Sequence, residues 1–378
     1  LSEKQRNGFL RALSKELTRE KRQIIEANER DVARAGEKLA ASMIERLRLD
    51  ESGVEKLTLK LNGMEGLKAG LGETIEEKVG EQGLDFKKVR VPLGVILVIY
   101  EARPEVTIDV AALCVKSGNA AILKGGSEAM ETNKVLFGCV LTALGKAGIE
   151  RETINFIASG DRRIIKRLLK EHDYIDLVVA RGGYGLVKAV LDQSKIPVLA
   201  HAAGGARIYI DESADLAMAE KIILNAKLSK PAACNSLDTI VIHRNVTSGW
   251  LSNLVGKLRE KGVETVEGDW GTEFLGLQVS MKIVKNVEEA IEFVNQHSKG
   301  HSEGIVASDK RAIEMFAKSV GAAAVFVNCS TRLHDGYVFG LGSEVGISTG
   351  KLHARGPVGL KELTTYKWEV HGYGQIRE

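Results

Sequence analysis

Cys234 lies in the stretch KPAACNSLDT, residues 230–239, where an asparagine follows it and the run IVIH continues the sequence. A thiolate is a soft nucleophile that can form and release an acyl intermediate, so this residue could carry covalent catalysis. Free cysteines are also often buried in cores, so the thiol by itself leaves a packing role open. Cys114 and Cys139 lie on apolar helix faces, which predicts core packing, and Cys329 has no expected role.

Two glycine-rich turns could bind a cofactor. In LKGGSEA, residues 123–129, a strand end is followed by the start of a helix, so an anion could meet both a lysine and free helix N–H groups. In ARGGYG, residues 180–185, glycines would allow the backbone to approach a cofactor closely. Either stretch could equally be a plain turn between strand and helix. The candidate residues are Lys124, Gly125, Gly126, Ser127, Gly182 and Gly183.

Composition argues against several classes of protein. The 378 residues carry a formal net charge of +3 and only 5% aromatic side chains, so a nucleic-acid-binding surface is not expected. No apolar run is long enough for a transmembrane helix, and LSEKQRNGFLRAL predicts an amphipathic helix rather than a signal peptide. The four cysteines lack metal-ligand spacing. We therefore expect a cytoplasmic enzyme with reduced thiols, no membrane association and no metal.

The elements that must position these residues follow from periodicity. Residues 1–72 predict helices, and residues 71–92 predict an extended hairpin. From GVILVIY to IPVLAH, apolar strands alternate with helices over short links, which predicts a parallel, doubly wound sheet. Its ligand crevice should lie at the carboxyl ends of the strands.

A second alternation of strands and helices begins near Cys234 and ends at AAAVFVN, which predicts a second α/β domain. Residues 328–359 are irregular and glycine-rich, and a long loop of this kind within a compact chain is usually functional. The final stretch ELTTYKWEV alternates like a strand but has no evident partner within the second domain.

Three stretches together carry a family resemblance: YEARPEVTIDVAALCVKSGNAAILKGGSEAMETN, KPAACNSLDT and FGLGSEVGISTGKLHARGPVG. From about residue 5 to its C-terminus the chain resembles the glutamate-5-semialdehyde dehydrogenases, also called γ-glutamyl phosphate reductases, of the aldehyde dehydrogenase superfamily. YEARP and HARGPVG do not belong to ordinary aldehyde dehydrogenases. The resemblance implies an aldehyde dehydrogenase-like α/β fold, with two doubly wound α/β domains, for cofactor and catalysis, and a β oligomerisation flap.

The implied domain limits follow from this resemblance. Residues 1–227 would form N-terminal helices and an NADP-binding domain, with the flap hairpin at about 71–92. Residues 228–352 would form the catalytic domain. Residues 353–378 would join the flap, so the orphan strand would find its partner in the flap or on another subunit. The resemblance also implies a homo-oligomer, a dimer or a tetramer.

The resemblance assigns roles to individual residues. Cys234 matches the catalytic cysteine of the P-A-[AG]-C-N frame, and its backbone N–H, helped by Asn235 or the region of Ala102, would stabilise the oxyanion. Lys124 would contact the adenosine ribose and Glu273 the nicotinamide ribose. The anionic groups of the substrate would be bound by Arg103, His201, Arg332, His353 and Arg355.

His201 occupies the position where oxidising aldehyde dehydrogenases have the glutamate that activates the deacylating water. The absence of that base suits a reductase, which must not hydrolyse its thioester. After His201 the chain reads AAGGAR where the family usually has A-D-G-x-C-H, and Asp238 replaces the usual glutamate.

The implied reaction is the NADPH-dependent reduction of L-glutamyl 5-phosphate to L-glutamate 5-semialdehyde and phosphate through a cysteine thioester. This is the second step of proline biosynthesis, and a glutamate 5-kinase is a possible partner. One alternative is an aldehyde dehydrogenase that acts on another small aldehyde, against which YEARP and HARGPVG argue. Another is a non-catalytic structural relative, against which the intact Cys234, Lys124 and Glu273 argue.

Overall fold

The computed structural model describes residues 1–36, 39, 41–200 and 203–377. Its N-terminal part is helical, as predicted, and a hairpin follows. Helix α1 begins in a capping box, in which the Ser2 hydroxyl accepts a hydrogen bond from the Gln5 backbone N–H over 3.2 Å. The elements are α1 Glu3–Arg19, α2 Lys21–Ala35, α3 Ala41–Leu47, α4 Glu51–Glu65, β1 Thr74–Val79 and β2 Asp85–Pro92.

A five-stranded parallel sheet follows, in the order β5-β4-β3-β6-β7. The run VILVIY forms its central strand because a strand covered by helices on both faces must be apolar throughout. Its elements are β3 Val95–Tyr100, α5 Glu105–Lys116, β4 Ala120–Gly125, α6 Met130–Lys146, β5 Ile154–Phe156, α7 Arg162–Leu168, β6 Leu177–Arg181, α8 Tyr184–Gln193 and β7 Val198–Ala200.

The strand order determines where this sheet can bind a ligand. The chain moves outward from β3 to β4 and β5, then returns to β6 on the other side of β3. Tyr100, the last residue of β3, is in register with Gly125 at the end of β4 and with Arg181 at the end of β6. Both predicted glycine turns therefore lie at the carboxyl edge, beside the point where the strand order reverses.

A six-stranded parallel sheet, ordered β10-β11-β9-β8-β12-β13, forms the core of the second half. Its central strands are buried along their whole length. The elements are β8 Ala206–Ile210, α9 Leu216–Leu228, β9 Leu237–His243, α10 Ser248–Glu260, β10 Glu264–Val266, β11 Gln278–Val284, α11 Val287–His297, β12 Ser302–Val306, α12 Lys310–Ser319, β13 Ala324–Val327, β14 Ile347–Ser348 and β15 Gly356–Pro357.

The last strand, β16 Thr364–His371, pairs antiparallel with β2, and the three-stranded sheet is ordered β1-β2-β16. Strand β2 is therefore the partner of the ELTTYKWEV stretch, for which the second domain offered no evident partner. The flap is therefore a real sheet, and the predicted α/β class with two doubly wound sheets is confirmed. Among the described residues, no helix is long and apolar enough to cross a bilayer.

The described chain forms two compact units, and their limits differ from the predicted domain limits. The first comprises 1–200, 340–346 and 358–378, and the second comprises 201–339 and 347–357. The predicted boundary at 227–228 would separate β8 and α9 from the second sheet, yet β8 is hydrogen-bonded between β9 and β12. The C-terminal segment likewise joins the first unit from residue 358 rather than 353.

Candidate active site

Cys234 lies in a tight turn between the end of α9 and the start of β9. The Ala233 N–H donates to the Lys230 carbonyl over 3.0 Å, and the Ser236 N–H donates to the Ala233 carbonyl over 2.9 Å. Asn235 and Ser236 are buried, whereas Cys234 itself is only half-buried. The turn thus has a fixed backbone and a thiol with partial access to solvent, in contrast to the buried Cys114 and Cys139.

Burial raises the pKa of Cys114 to about 12, and it raises the pKa of Cys139 to the same value with a smaller contribution from nearby glutamates. Both thiols therefore stay protonated near neutral pH, and the thiolate is the nucleophilic form. The prediction that these residues pack in the core is confirmed.

A pair of glycines packs against the Cys234 turn. The Gly205 N–H donates to the Cys234 carbonyl over 2.6 Å. A Cβ placed on Gly204 would lie 2.2 Å from that carbonyl oxygen and 2.7 Å from the Cys234 Cβ, which is closer than any real side chain tolerates. The altered AAGGAR stretch therefore supplies the only residue type that fits here. His201, the predicted substrate contact in this segment, lies outside the described residues.

Glu273 reaches the same place from the loop before β11. Its Oε1 lies 2.7 Å from the position that a Gly204 Cβ would take, as does the Cys234 Cβ. The fold thus brings the predicted nucleophile and the predicted ribose-binding carboxylate together, although they are far apart in the sequence.

Asn235 and Arg332 are joined directly, because Arg332 Nη1 donates to Asn235 Oδ1. Arg332 Nε donates to Ser229 Oγ over 3.1 Å. Burial lowers the pKa of the Arg332 guanidinium, and the nearby Cys234 thiol, when ionised, opposes that shift. A positive charge close to the sulfur favours the thiolate.

Next to this turn lies a buried group of charged side chains that the sequence motifs did not predict. Lys227 Nζ donates to the Leu237 carbonyl over 2.7 Å and lies 3.5 Å from Asp238 Oδ1. Burial raises the pKa of Asp238 to about 6 and lowers that of Lys227. Arg207 pairs with Glu303, with 3.2 Å between Nη1 and Oε1. Asp238 and Glu303 are single charges within the apolar strands LDTIVIH and SEGIV, and such isolated charges give little local indication of their distant partners.

The predicted cofactor turns lie in the first unit. Lys124 is buried, and its Nζ donates to the Gly125 carbonyl over 2.7 Å. Burial lowers the pKa of this ammonium, and the Glu128 carboxylate partly offsets the effect. Glu128 Oε1 accepts from the Ala102 N–H over 2.6 Å. That N–H, an anticipated oxyanion donor, is thus already engaged.

The second turn is organised by another carboxylate. Glu101 Oε2 accepts from the Gly183 N–H over 2.9 Å, and a Cβ on Gly182 would lie 2.4 Å from the same oxygen. A side chain at residue 182 would therefore have to displace the Glu101 carboxylate that binds the Gly183 N–H.

The other predicted substrate contacts are divided between the two units. Arg103 is half-buried between β3 and α5 of the first unit. In the second unit, His353 is exposed, and Arg355 Nη2 donates to the Gly321 carbonyl between α12 and β13. The described contacts thus join Cys234, Asn235 and Arg332 directly, whereas Arg355 is held elsewhere in its unit.

Comparisons with known proteins agree with this geometry. The model of the aldehyde dehydrogenase family matches residues 1–273 and 270–368. A γ-glutamyl phosphate reductase of Caldanaerobacter subterraneus is 43% identical over 372 residues, which cover 94% of this chain and 90% of that protein.

Solved structures give the same result. The γ-glutamyl phosphate reductase of Thermotoga maritima is 39% identical, with a TM-score of 0.96, and the match covers 100% of this chain and 95% of that one. An engineered glycolyl-CoA reductase with bound NADP+ is 15% identical with a TM-score of 0.71, covering 97% of this chain and 92% of that one, and so shares the fold. The chain belongs to the aldehyde dehydrogenase family and, within it, to the γ-glutamyl phosphate reductases.

Proposed function

We propose that this chain reduces L-glutamyl 5-phosphate to L-glutamate 5-semialdehyde and inorganic phosphate with NADPH, the second step of proline biosynthesis. The observation that carries the proposal is the half-buried Cys234, in a fixed turn that Glu273, Asn235 and Arg332 border. Membership of the family supports the same reaction and implies a nicotinamide cofactor.

In the first half of the reaction, the Cys234 thiolate attacks C5 of the acyl phosphate. The new S–C5 bond replaces the C5–O bond, whose electron pair leaves with phosphate, and a thioester remains on the enzyme. The Cys234 backbone N–H and the Asn235 side chain are the proposed donors to the oxyanion. The positive charge of Arg332 favours the ionised sulfur before attack.

In the second half, the thioester carbon held by Cys234 would accept a hydride, which a nicotinamide would supply when bound. Cys234 then holds a thiohemiacetal, whose collapse breaks the C–S bond, releases the aldehyde and restores the thiolate. At position 201, a Glu side chain would act as a general base, activate water and hydrolyse the thioester to free glutamate. Histidine at this position is proposed to avoid that hydrolysis.

In the first unit, the proposed cofactor-binding residues lie in the two glycine turns. The buried Lys124 ammonium, at the edge where the strand order reverses, fits a ribose hydroxyl or phosphate oxygen. Glu273 would hold the nicotinamide ribose. The full proposed set is Lys124, Gly125, Gly126, Ser127, Gly182, Gly183 and Glu273.

NADPH is the proposed cofactor because the Lys124 ammonium offers a positive charge for a 2′-phosphate, while the nearby Glu128 carboxylate accepts a hydrogen bond from the Ala102 N–H. We expect kcat/KM to be higher for NADPH than for NADH, and Lys124→Met to reduce that ratio. A preference for NADH in the wild-type enzyme would contradict this assignment.

The substrate carries a phosphate and an α-carboxylate, and both need positively charged or donating partners. The proposed partners are Arg103, His201, Arg332, His353 and Arg355. We also propose a homo-oligomer, a dimer or tetramer built through the β1-β2-β16 sheet, in the cytoplasm. A glutamate 5-kinase, which makes the acyl phosphate, is a proposed partner because such compounds react readily with water.

Oxidation of glutamate semialdehyde with NADP+ and inorganic phosphate, the reverse reaction, tests the function. Wild type should depend on phosphate, whereas an aldehyde dehydrogenase with another substrate or a non-catalytic relative should not catalyse this reaction. Cys234→Ala should abolish turnover and retain NADPH binding, measured by fluorescence titration. Cys329→Ala is the matched control and should remain active. Substantial activity in purified Cys234→Ala would mean that the nucleophile is another residue.

A further inference from the structure

Arg332 is held at two points of its guanidinium. It lies in the short 3-10 turn Thr331–Leu333. Its Nε donates to Ser229 Oγ, just beyond the end of α9, over 3.1 Å, and its Nη1 donates to Asn235 Oδ1. A planar guanidinium fixed at two nitrogens has one orientation only, so the direction of its remaining N–H groups is set before any substrate binds.

Asn235 is itself fixed in an orientation that suits this role. The side-chain Nδ2 of Asn235 donates to the His334 carbonyl over 3.0 Å, and the backbone carbonyl of Asn235 accepts from Thr331 Oγ1 over 2.8 Å. The residue is 4% exposed. Because the amide nitrogen donates one of its two N–H groups to the His334 carbonyl, the amide oxygen is turned toward Arg332.

The turn that carries these groups is tied to the sheet by buried polar contacts. His334 Nδ1 shares a hydrogen bond with Ser302 Oγ of β12 over 2.8 Å, and Ser302 Oγ shares another with His301 Nδ1 over 2.7 Å. All three residues are fully buried. Movement of the turn would break this network, so Arg332 is supported by the sheet and not by a loose loop.

Within the described part of the chain, the two fixed bonds leave the other N–H groups of Arg332, chiefly those on Nη2, available for an anion. Paired N–H groups of arginine match the oxygens of a phosphate. Arg332 is bonded to the residue that directly follows Cys234, so its charge lies at the reacting end of the site. In the proposed substrate, the phosphate is attached to the carbon that Cys234 attacks, whereas the α-carboxylate lies at the opposite end of the glutamyl chain.

We propose, building on the function proposed above, that Arg332 binds the phosphate end of the substrate and that Asn235 and Ser229 are the residues that position it. As the C5–O bond breaks, its electron pair moves onto a phosphate oxygen, and Arg332 meets the charge that develops there. In the reverse direction, the same guanidinium binds inorganic phosphate for attack on the thioester.

The reverse reaction separates the two ends of the substrate, because inorganic phosphate and glutamate semialdehyde are added independently. Arg332→Lys and Arg332→Met should raise the KM for phosphate by about tenfold or more, since a charge-assisted pair is lost or weakened. The KM for the semialdehyde should stay within about twofold. Arg311→Met, on the exposed face of α12, is the matched control and should leave both values unchanged.

Positioning is tested at the two anchors. Asn235→Asp would place a carboxylate against Arg332 and neutralise it, so the KM for phosphate should again rise with little change for the semialdehyde. Ser229→Ala should raise the KM for phosphate about threefold or more, because one hydrogen bond donated by the guanidinium is lost, and Ser229→Thr, which keeps a hydroxyl, should restore it. A purely structural role would not produce this rescue or this selectivity.

A second measurement needs no turnover. Inorganic phosphate should slow alkylation of Cys234 by iodoacetamide in the wild-type enzyme, measured by mass spectrometry of the modified peptide. Arg332→Met should lose that protection, and Arg311→Met should keep it. Retained protection in Arg332→Met, or a KM that rises for the semialdehyde and not for phosphate, would overturn the proposal. These outcomes are distinct from failure of the proposed function, which activity of Cys234→Ala would reveal.

Discussion

Gly204 shows how strongly one residue can constrain the nucleophile. The backbone of Cys234 approaches it so closely that a methyl group would lie 2.2 Å from the Cys234 carbonyl oxygen. The neighbouring Gly205 N–H binds that same oxygen. The position of the Cys234 turn is thus set by contact with a segment that comes before β8, and the glycine is required by space and not by backbone dihedral alone.

We expect Gly204→Ala to reduce kcat by about 10²-fold or more, because the Cys234 backbone must shift and a displacement of an ångström at a reacting group has that effect. The free energy of unfolding should fall by about 1–3 kcal/mol through overpacking. Steady-state kinetics and urea unfolding would measure both changes.

Gly256→Ala provides the matched control, since Gly256 lies within α10 and a Cβ there has no neighbour within 4 Å. This substitution should leave kcat unchanged and stabilise the helix by about 1 kcal/mol. Wild-type kinetics in Gly204→Ala would show that the predicted contact does not constrain the nucleophile.

At the scale of elements, the centre of the six-stranded sheet contains buried charges. Arg207 on β8 binds Glu303 on β12 through both its backbone N–H and its guanidinium. Asp238 on β9 lies beside Lys227 of α9. These charges link the helix and the strands on either side of the Cys234 turn, so the strands that support the turn are joined by polar contacts as well as by their ladders.

Burial gives this group a pH dependence with a definite sign. The pKa of Asp238 is raised to about 6, mainly by desolvation, from an ordinary value of 3.8. The folded state therefore binds this proton more tightly than the unfolded state does. The contribution of the Asp238 carboxyl group to the free energy of unfolding is complete below pH ~4 and is lost as the pH rises through about 6. Glu303, whose pKa burial raises to about 7, has the same sign.

Asp238→Asn removes the titrating group and keeps the shape of the side chain. We expect the free energy of unfolding of the wild type, minus that of the variant, to fall by up to about 3 kcal/mol between pH 4 and pH 7. Urea unfolding at a series of pH values would measure this difference. Parallel pH profiles for the two proteins would contradict the assignment.

At the scale of the whole molecule, the β1-β2-β16 sheet carries several large apolar side chains that are exposed to solvent. Tyr366, Trp368 and Val370 alternate along β16 and so share one face, and each is at least 41% exposed. Val79 on β1 is 72% exposed. Exposed apolar strands at the edge of a sheet are sites of pairing or docking, which agrees with the oligomer proposed above.

If the proposed oligomer forms through this sheet, Val370→Glu should shift it toward smaller species, because a buried interface would not accept an unpaired charge. Light scattering coupled to gel filtration would measure the mass over a range of protein concentrations. Leu59→Glu, at an exposed leucine of α4, is the control and should leave the mass unchanged. A monomeric wild-type enzyme, or an unchanged mass in Val370→Glu, would exclude the flap as the interface.

The sequence by itself determined the order and type of the elements. Continuous apolar runs such as VILVIY require burial on both faces, and their alternation with amphipathic helices over short links permits few folds other than parallel sheets. The cysteine frame and the two glycine turns were also identifiable, because their residue types and local order are visible in short stretches. The family resemblance provided the partner of the C-terminal strand.

Only the tertiary structure decided which distant segments meet. It placed β8 in the second sheet with α9 packed against it, set Gly204 against Cys234, and joined Arg332 to Asn235 across 97 residues of chain. It also paired the buried charges of Arg207 and Glu303. Local periodicity reports which face of an element is buried, whereas these contacts depend on the order in which the strands assemble, and that order is fixed by packing over the whole sheet.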